Sequence, residues 1–257
     1  MSSSVPYFEV SGEGEPVVLI TGIATDTRAW TLQVPALAKH HRMIVLDNRG
    51  IGKGGPVSAP YEIADLATDV VAVLDAAGFA RADVIGLSMG GMIAQELALR
   101  YPTRVRRLIL AATSADCHPT LDEHRRRFLA AIEGANGGAA FWRHALPVLF
   151  SREFLENEWE RLVELFGSAS ELRVDGLLAQ LDAVSRHRTT DRLAEIEAPT
   201  LVLTADSDRL VPAECGDVLA RNIPRAERQT VPGGSHCFHV EMPDTFNRIV
   251  LEFLSRS

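Results

Sequence analysis

Short unbroken apolar runs alternate along this chain with longer stretches in which apolar residues recur every three or four positions. The runs cover residues 17–20, 43–46, 84–85 with Gly86 and Leu87, 108–112 and 200–204. Unbroken runs of this length predict strands buried on both faces, hence a mostly parallel sheet with helices packed against each side. Residues 7–10 and 227–231 read as further strands, the first at a sheet edge. Between the runs, Ile63, Leu66, Val70, Val73, Leu74 and Ala77 fall at helical spacing, and Gly78 closes the pattern. Ile93, Leu97 and Tyr101 continue a second helix that Pro102 halts, and Phe246, Ile249, Val250, Phe253 and Leu254 mark a third. Residues 30–39 are weakly helical. A strand, a helical crossover and a strand over residues 17–46 predict parallel pairing with a right-handed connection. The fold class is therefore α/β, a mostly parallel central sheet flanked by helices.

The pattern changes between residues 115 and 188. Strand-like runs vanish, and helical stretches carry bulky side chains instead: Phe128, Leu129 and Ile132; Phe141, Trp142, Leu146 and Leu149; Phe154, Trp159, Leu162 and Phe166; Leu177, Leu181 and Val184. The predicted organisation is an α/β core from residues 1–114 and 189–257 with an all-helical insertion, 115–188. The insertion could form a cap or an appendage, and its position in the strand order favours a cap. Its aromatic residues Trp142 and Trp159, with Phe128 and Phe166, suit an apolar substrate pocket, although aromatic stripes more often pack helices together.

Composition narrows the function classes. The chain has 257 residues, 46% hydrophobic and 23% charged, as in globular proteins. A net charge of −8 disfavours a polyanionic partner such as nucleic acid. No apolar run approaches the roughly 20 residues of a membrane span, and the first residues lack the basic and apolar parts of a signal peptide. The three cysteines, Cys117, Cys215 and Cys237, are widely spaced, which fits free thiols in a cytoplasmic protein. No histidine spacing suggests a metal, and no motif suggests a cofactor. The oligomeric state is left open, a homodimer included.

One stretch organises the rest: Val84-Ile85-Gly86-Leu87-Ser88-Met89-Gly90-Gly91. An apolar strand ends in Gly-x-Ser-x-Gly and passes into a helix, the pattern of a nucleophile elbow. The flanking glycines let the backbone turn sharply beneath the serine, and the helix amino terminus favours an anion forming beside it. The plainer reading is a serine that only caps the helix. Loops leaving the carboxyl ends of parallel strands gather at one sheet edge. Here they hold Thr21-Gly22-Ile23, the elbow, Asp206-Ser207-Asp208 and Gly233-Gly234-Ser235-His236. Serine, acid and histidine in that chain order suit this elbow, with histidine as base and a carboxylate orienting it. On the residues alone, Asp206 and Asp208 are nearly equal candidates for the acid, and His239 competes with His236.

The elbow, Asp47-Asn48-Arg49-Gly50-Ile51-Gly52, Asp206-Ser207-Asp208-Arg209-Leu210-Val211-Pro212 and Gly234-Ser235-His236 with Glu241 and Pro243 together resemble the α/β-hydrolase superfamily. Within its capped esterase and lactonase branch the chain is most similar to 3-oxoadipate enol-lactonase-like hydrolases. The resemblance implies Ser88, Asp208 and His236 as the catalytic set, with the backbone amides of Ile23 and Met89 as the oxyanion hole. It implies a cofactor-independent serine hydrolase acting on a small ester or lactone through an acyl-enzyme. The same triad could serve carbon–carbon bond hydrolysis, a lyase reaction or perhydrolysis, and a non-catalytic binding protein on this fold is the rival from another class. Two departures stand out: Thr21-Gly22 replaces the family's common His-Gly, and Gly54 occupies a place where relatives often have serine.

Overall fold

A computed structural model describes residues 5–57, 60–133, 138–167 and 173–256. The apolar runs form strands β1 (Phe8–Ser11), β2 (Pro16–Ile20), β3 (Arg42–Leu46), β4 (Ala82–Leu87), β5 (Val105–Ala111), β6 (Thr200–Ala205) and β7 (Ala226–Val231). They make one seven-stranded sheet in the order β1-β3-β2-β4-β5-β6-β7. Only β1 is antiparallel, pairing β3 from Phe8 opposite Leu46 to Ser11 opposite Met43, and every other pair is parallel. Every residue of β2, β4 and β6 is buried, as the unbroken runs require of strands covered on both faces.

Ten α-helices accompany the strands among the described residues: α1 (Val34–Leu37), α2 (Ile63–Ala76), α3 (Met89–Arg100), α4 (Pro119–Glu133), α5 (Gly138–Leu149), α6 (Arg152–Gly167), α7 (Val174–Arg186), α8 (Glu214–Asn222), α9 (Phe238–Glu241) and α10 (Pro243–Leu254). The expected weak helix over 30–39 divides into a 3-10 turn, Thr27–Trp30, and the single turn α1. On one face of the sheet, Ile63, Leu66, Val70 and Leu74 of α2 pack with Met92, Ile93 and Leu97 of α3 over Val18, Ile44, Val84 and Leu108. On the other, Phe246, Ile249, Val250 and Phe253 of α10 pack with Trp30 and Leu37 over Leu19, Val45, Ile85 and Ile109. Alternate strand residues feed alternate layers, as the pleat dictates.

Helices α4 to α7 leave and re-enter the core at one point. Asp116 forms an isolated antiparallel bridge with Arg188, and the Thr189 amide donates to the Ala115 carbonyl over 3.0 Å. These helices hold a core of their own, in which Phe128, Phe141, Trp142, Leu146, Phe150, Leu162, Leu177 and Leu181 are buried. The side chains of Ile132 and Phe166 lie outside the described residues. No helix among the described residues is long and apolar enough to cross a membrane.

Candidate active site

The strand order fixes where a site can form. From β2 the chain steps outward to β3, then returns to place β4 on the other side of β2. Loops leaving β2 and β4 therefore diverge in opposite directions and open a crevice at the carboxyl edge. The Thr21-Gly22-Ile23 loop and the elbow flank it, close enough that a Cβ added to Gly22 would sit 3.4 Å from the Ser88 Cβ.

Ser88 itself has φ 55° and ψ −120°, a backbone conformation costly to a residue with a side chain. The surroundings hold it there. Its amide donates to the Ala111 carbonyl over 2.9 Å, and its carbonyl accepts from the Thr113 hydroxyl at 2.7 Å and the Gly91 amide at 2.8 Å. A Cβ on Gly86 would lie 2.2 Å from the Gly90 carbonyl oxygen, and one on Gly90 would lie 2.2 Å from that of Ile20. The elbow closes only because both positions lack side chains. Ser88 makes no side-chain capping bond to α3, so a purely capping serine does not describe it. Met89, buried, is the first residue of α3, where backbone amides lack intrahelical acceptors.

The acid and base loops meet beside the elbow. Asp208 Oδ2 lies 2.8 Å from His236 Nδ1, while its Oδ1 accepts from the amides of Leu210 at 2.8 Å and Val211 at 2.9 Å. Both side chains are nearly sealed, 1% and 3% exposed. With Nδ1 engaged by the carboxylate, Nε2 is the nitrogen left to exchange a proton. Asp206 instead stays exposed, and its Oδ1 accepts from the Gly233 amide at 2.7 Å. His239 packs 5.3 Å from the Trp30 ring, and burial, with His236 nearby, lowers its pKa to about 3.

Ser88 and His236 open onto one cavity, with Gly22, Ile23, Leu87 and His239 among the residues contributing from the core. The helical segment supplies much of the opposite wall: Leu121, Arg125 and Phe128 of α4, Phe141, Trp142 and Ala145 of α5, and Leu181 and Val184 of α7. Trp142 lines this cavity. Trp159 does not: on α6, one helix further out, it packs on the helical segment's own apolar cluster.

The two departures have local explanations. In place of histidine, the Thr21 hydroxyl donates to the Thr25 carbonyl at 2.9 Å, and the Thr25 hydroxyl donates to the Gly22 carbonyl at 3.1 Å. Asn48 Nδ2 adds a bond of 3.3 Å to the Thr21 carbonyl. At Gly54 a Cβ would fall 2.3 Å from the Asn48 carbonyl oxygen, so serine would need another loop path. The surrounding Asp-Asn-Arg stretch is scaffold. Asp47 accepts from the Thr27 and Lys53 amides at 2.7 and 2.8 Å, and Arg49 forks onto Asp69 at 2.7 and 2.5 Å.

Comparison with known proteins agrees with this architecture. A family model described as alpha/beta hydrolase fold matches residues 15–243. The chain belongs to the α/β-hydrolase family. Curated relatives that bear the name "Putative carbamate hydrolase RutD" include one from Azorhizobium caulinodans, 34% identical over 96% of this chain and 94% of its own. Another, from Klebsiella pneumoniae strain 342, is 32% identical over 94% and 92%. Among solved structures, the enol-lactonase from Burkholderia xenovorans LB400 superposes with a TM-score of 0.88 at 27% identity, covering 97% of this chain and 96% of that one. The N-acyl homoserine lactone degrading enzyme Est816 gives 0.81 at 30%, covering 96% of each. Together these make the chain a hydrolase of the α/β-hydrolase family.

Within this α/β-hydrolase, sequence reasoning overlooked residues that act from a distance. Arg209, beside the acid, donates to the Phe150 carbonyl at 3.1 Å, and the Leu149 carbonyl accepts from the Cys237 amide and the Ser235 hydroxyl, both at 2.9 Å. Glu241 accepts from the Ser151 amide at 2.5 Å and the Ser235 amide at 3.3 Å. The end of α5 is thereby fastened to the loops carrying Asp208 and His236. The one available signal was Glu241 itself, five residues past His236.

Proposed function

We propose that this chain is a serine hydrolase of a small carboxylic ester or lactone. The observation that carries the reading is the 2.8 Å Asp208–His236 pair, opening with the strained Ser88 onto one largely apolar cavity. Ser88 Oγ attacks the carbonyl carbon while His236 Nε2 takes its proton. The resulting oxyanion accepts from the Ile23 and Met89 amides. His236 then gives its proton to the departing alkoxide, leaving an acyl group on Ser88. A water molecule, deprotonated by His236, attacks that acyl group. The acid departs and Ser88 regains its proton. Every proton is returned, so the cycle needs no cofactor. The helical segment 115–188 serves as the cap, with Trp142 against the acyl or ring portion.

The curated relatives favour a second reading, in which the carbonyl belongs to a carbamate. The same steps then leave a carbamoyl group on Ser88 where the alcohol departs first, or an alkoxycarbonyl group where the amine does. Turnover of short p-nitrophenyl esters, lactones and p-nitrophenyl carbamates by the wild type and Ser88→Ala tests both. Loss of all turnover in Ser88→Ala is expected, with the ranking of substrates separating the two readings. Undiminished turnover in the variant contradicts them.

A further inference from the structure

Two of the contacts that helix α7 makes with the core lie four residues apart, hence on one helical face. Gly176 lies against the loop after β3, where an added Cβ would fall 2.0 Å from the Gly50 carbonyl oxygen. Gln180, fully buried, reaches the loop after β2, and its Oε1 accepts from the Ala24 amide at 2.8 Å, bridging 156 positions of sequence. Arg186 anchors the far end of the helix, donating to the Tyr61 carbonyl at 3.0 Å and to Glu62 at 2.9 Å. The helix is fixed at both ends, so Gln180 is presented from a rigid support.

Ala24 sits at φ 60°, the left-handed region, although it is not glycine. Such a residue persists only where its surroundings impose the conformation. The turn hydrogen bonds of Thr21 and Thr25 close the loop from within, and Gln180 holds it from outside. The side-chain amide has one workable orientation here, because reversing it would set its NH2 against the Ala24 N–H. Gln180 Nε2 is buried with no hydrogen-bond partner among the described residues, so only one of the two polar ends of the amide is satisfied there. The peptide it fixes, between Ile23 and Ala24, adjoins the one that carries the Ile23 N–H.

We infer that Gln180 is a positioning residue, through which the helical segment holds the Ile23 amide in place for the developing oxyanion. This rests on the reading of Ile23 given above. An oxyanion donor is worth most when its position is set before the reaction begins, and small displacements are expensive. The effect therefore falls on kcat and leaves KM nearly unmoved.

The test compares Gln180→Met, which removes the acceptor at similar volume, Gln180→Asn, which withdraws it by one methylene, and Gln180→Glu, which keeps an acceptor oxygen in either protonation state. The substrate is a short p-nitrophenyl ester, and a trifluoromethyl ketone reports affinity for the tetrahedral adduct. Both Q180M and Q180N are expected to lower kcat by about 10- to 100-fold. KM changes by less than about threefold, ketone affinity falls in parallel with kcat, and Q180E restores most of the loss. Either Q180M or Q180N, folded by near-ultraviolet circular dichroism yet retaining kcat within about twofold, overturns the assignment. So does a Q180E as impaired as Q180M, or failure of all three to fold, which would make Gln180 part of the core instead. Wild-type turnover that does not depend on Ser88 defeats the underlying reading as well, whereas intact Ser88-dependent turnover with indifferent Gln180 variants defeats this inference alone.

Discussion

Asp206 and Asp208 carry the same carboxylate two positions apart, and the β6 loop gives them different work. Asp208 turns inward, where two backbone amides satisfy one oxygen and His236 Nδ1 meets the other. Asp206 turns to solvent and ties the start of the glycine loop. Replacing Asp208 by Asn keeps the size but leaves an amide where the imidazolium needs a charge. We expect Asp208→Asn to lower kcat by about 10³- to 10⁴-fold, with Asp206→Asn within about fivefold of wild type, since it loses one exposed hydrogen bond. Steady-state kinetics on a p-nitrophenyl ester separates them. Residue spacing alone could not make this choice, because which way a loop side chain turns depends on contacts made by other loops. The same holds for Trp142 and Trp159. Both fit an apolar helical face, but only the neighbouring helices decide which aromatic meets the cavity and which meets the helical segment's own core.

At the scale of the element, β4, its turn and α3 form one unit whose geometry rests on absent side chains. Gly86→Ala places a methyl group against backbone, which cannot swing aside as a side chain could. We expect this substitution to destabilise the fold by about 3 kcal/mol or more and to remove activity together with it. Urea denaturation followed by fluorescence reads the stability loss. The buried strands were legible in sequence because a run covered on both faces is mostly apolar, and the elbow was legible because its steric demand selects glycine. Element ends were less so: β5 begins at Val105, where Arg106 and Arg107 break the apolar run while pairing with Asp83 at the strand's lower edge. The ties from α7 and α5 to the active-site loops were invisible for another reason. Hydrophobic periodicity identifies the face a helix buries but not the loop it buries that face against. Gln180 in an amphipathic helix looks like any interfacial polar residue until Ala24 is seen opposite it.

For the whole molecule, the sheet order supplies the crevice, and the helical segment encloses it. Burial of histidines in this structure makes stability depend on pH. His187 is 4% exposed, near Glu96, Asp116, Arg188 and Arg192, with the Thr189 hydroxyl 3.5 Å from its Nε2. Burial outweighs the neighbouring carboxylates and lowers its pKa to about 4, from an ordinary 6.5. In acid the unfolded chain takes up the proton first, so it binds more protons than the folded chain as pH falls from about 6.5 to about 4. Stability is therefore lost across that window, by on the order of 3 kcal/mol from this one side chain. Buried His239 adds a loss of the same sign. Urea midpoints between pH 7 and pH 4 should fall steeply for the wild type and less steeply for His187→Asn.

The central claim is that Ser88, His236 and Asp208 act as one nucleophilic unit. Its most direct measurement is peptide mass mapping after brief exposure to a fluorophosphonate probe. The account predicts a single phosphonyl adduct, on the peptide containing Ser88, formed far more slowly in His236→Gln and Asp208→Asn. An adduct on another residue, or none on folded protein that still hydrolyses esters, would contradict it.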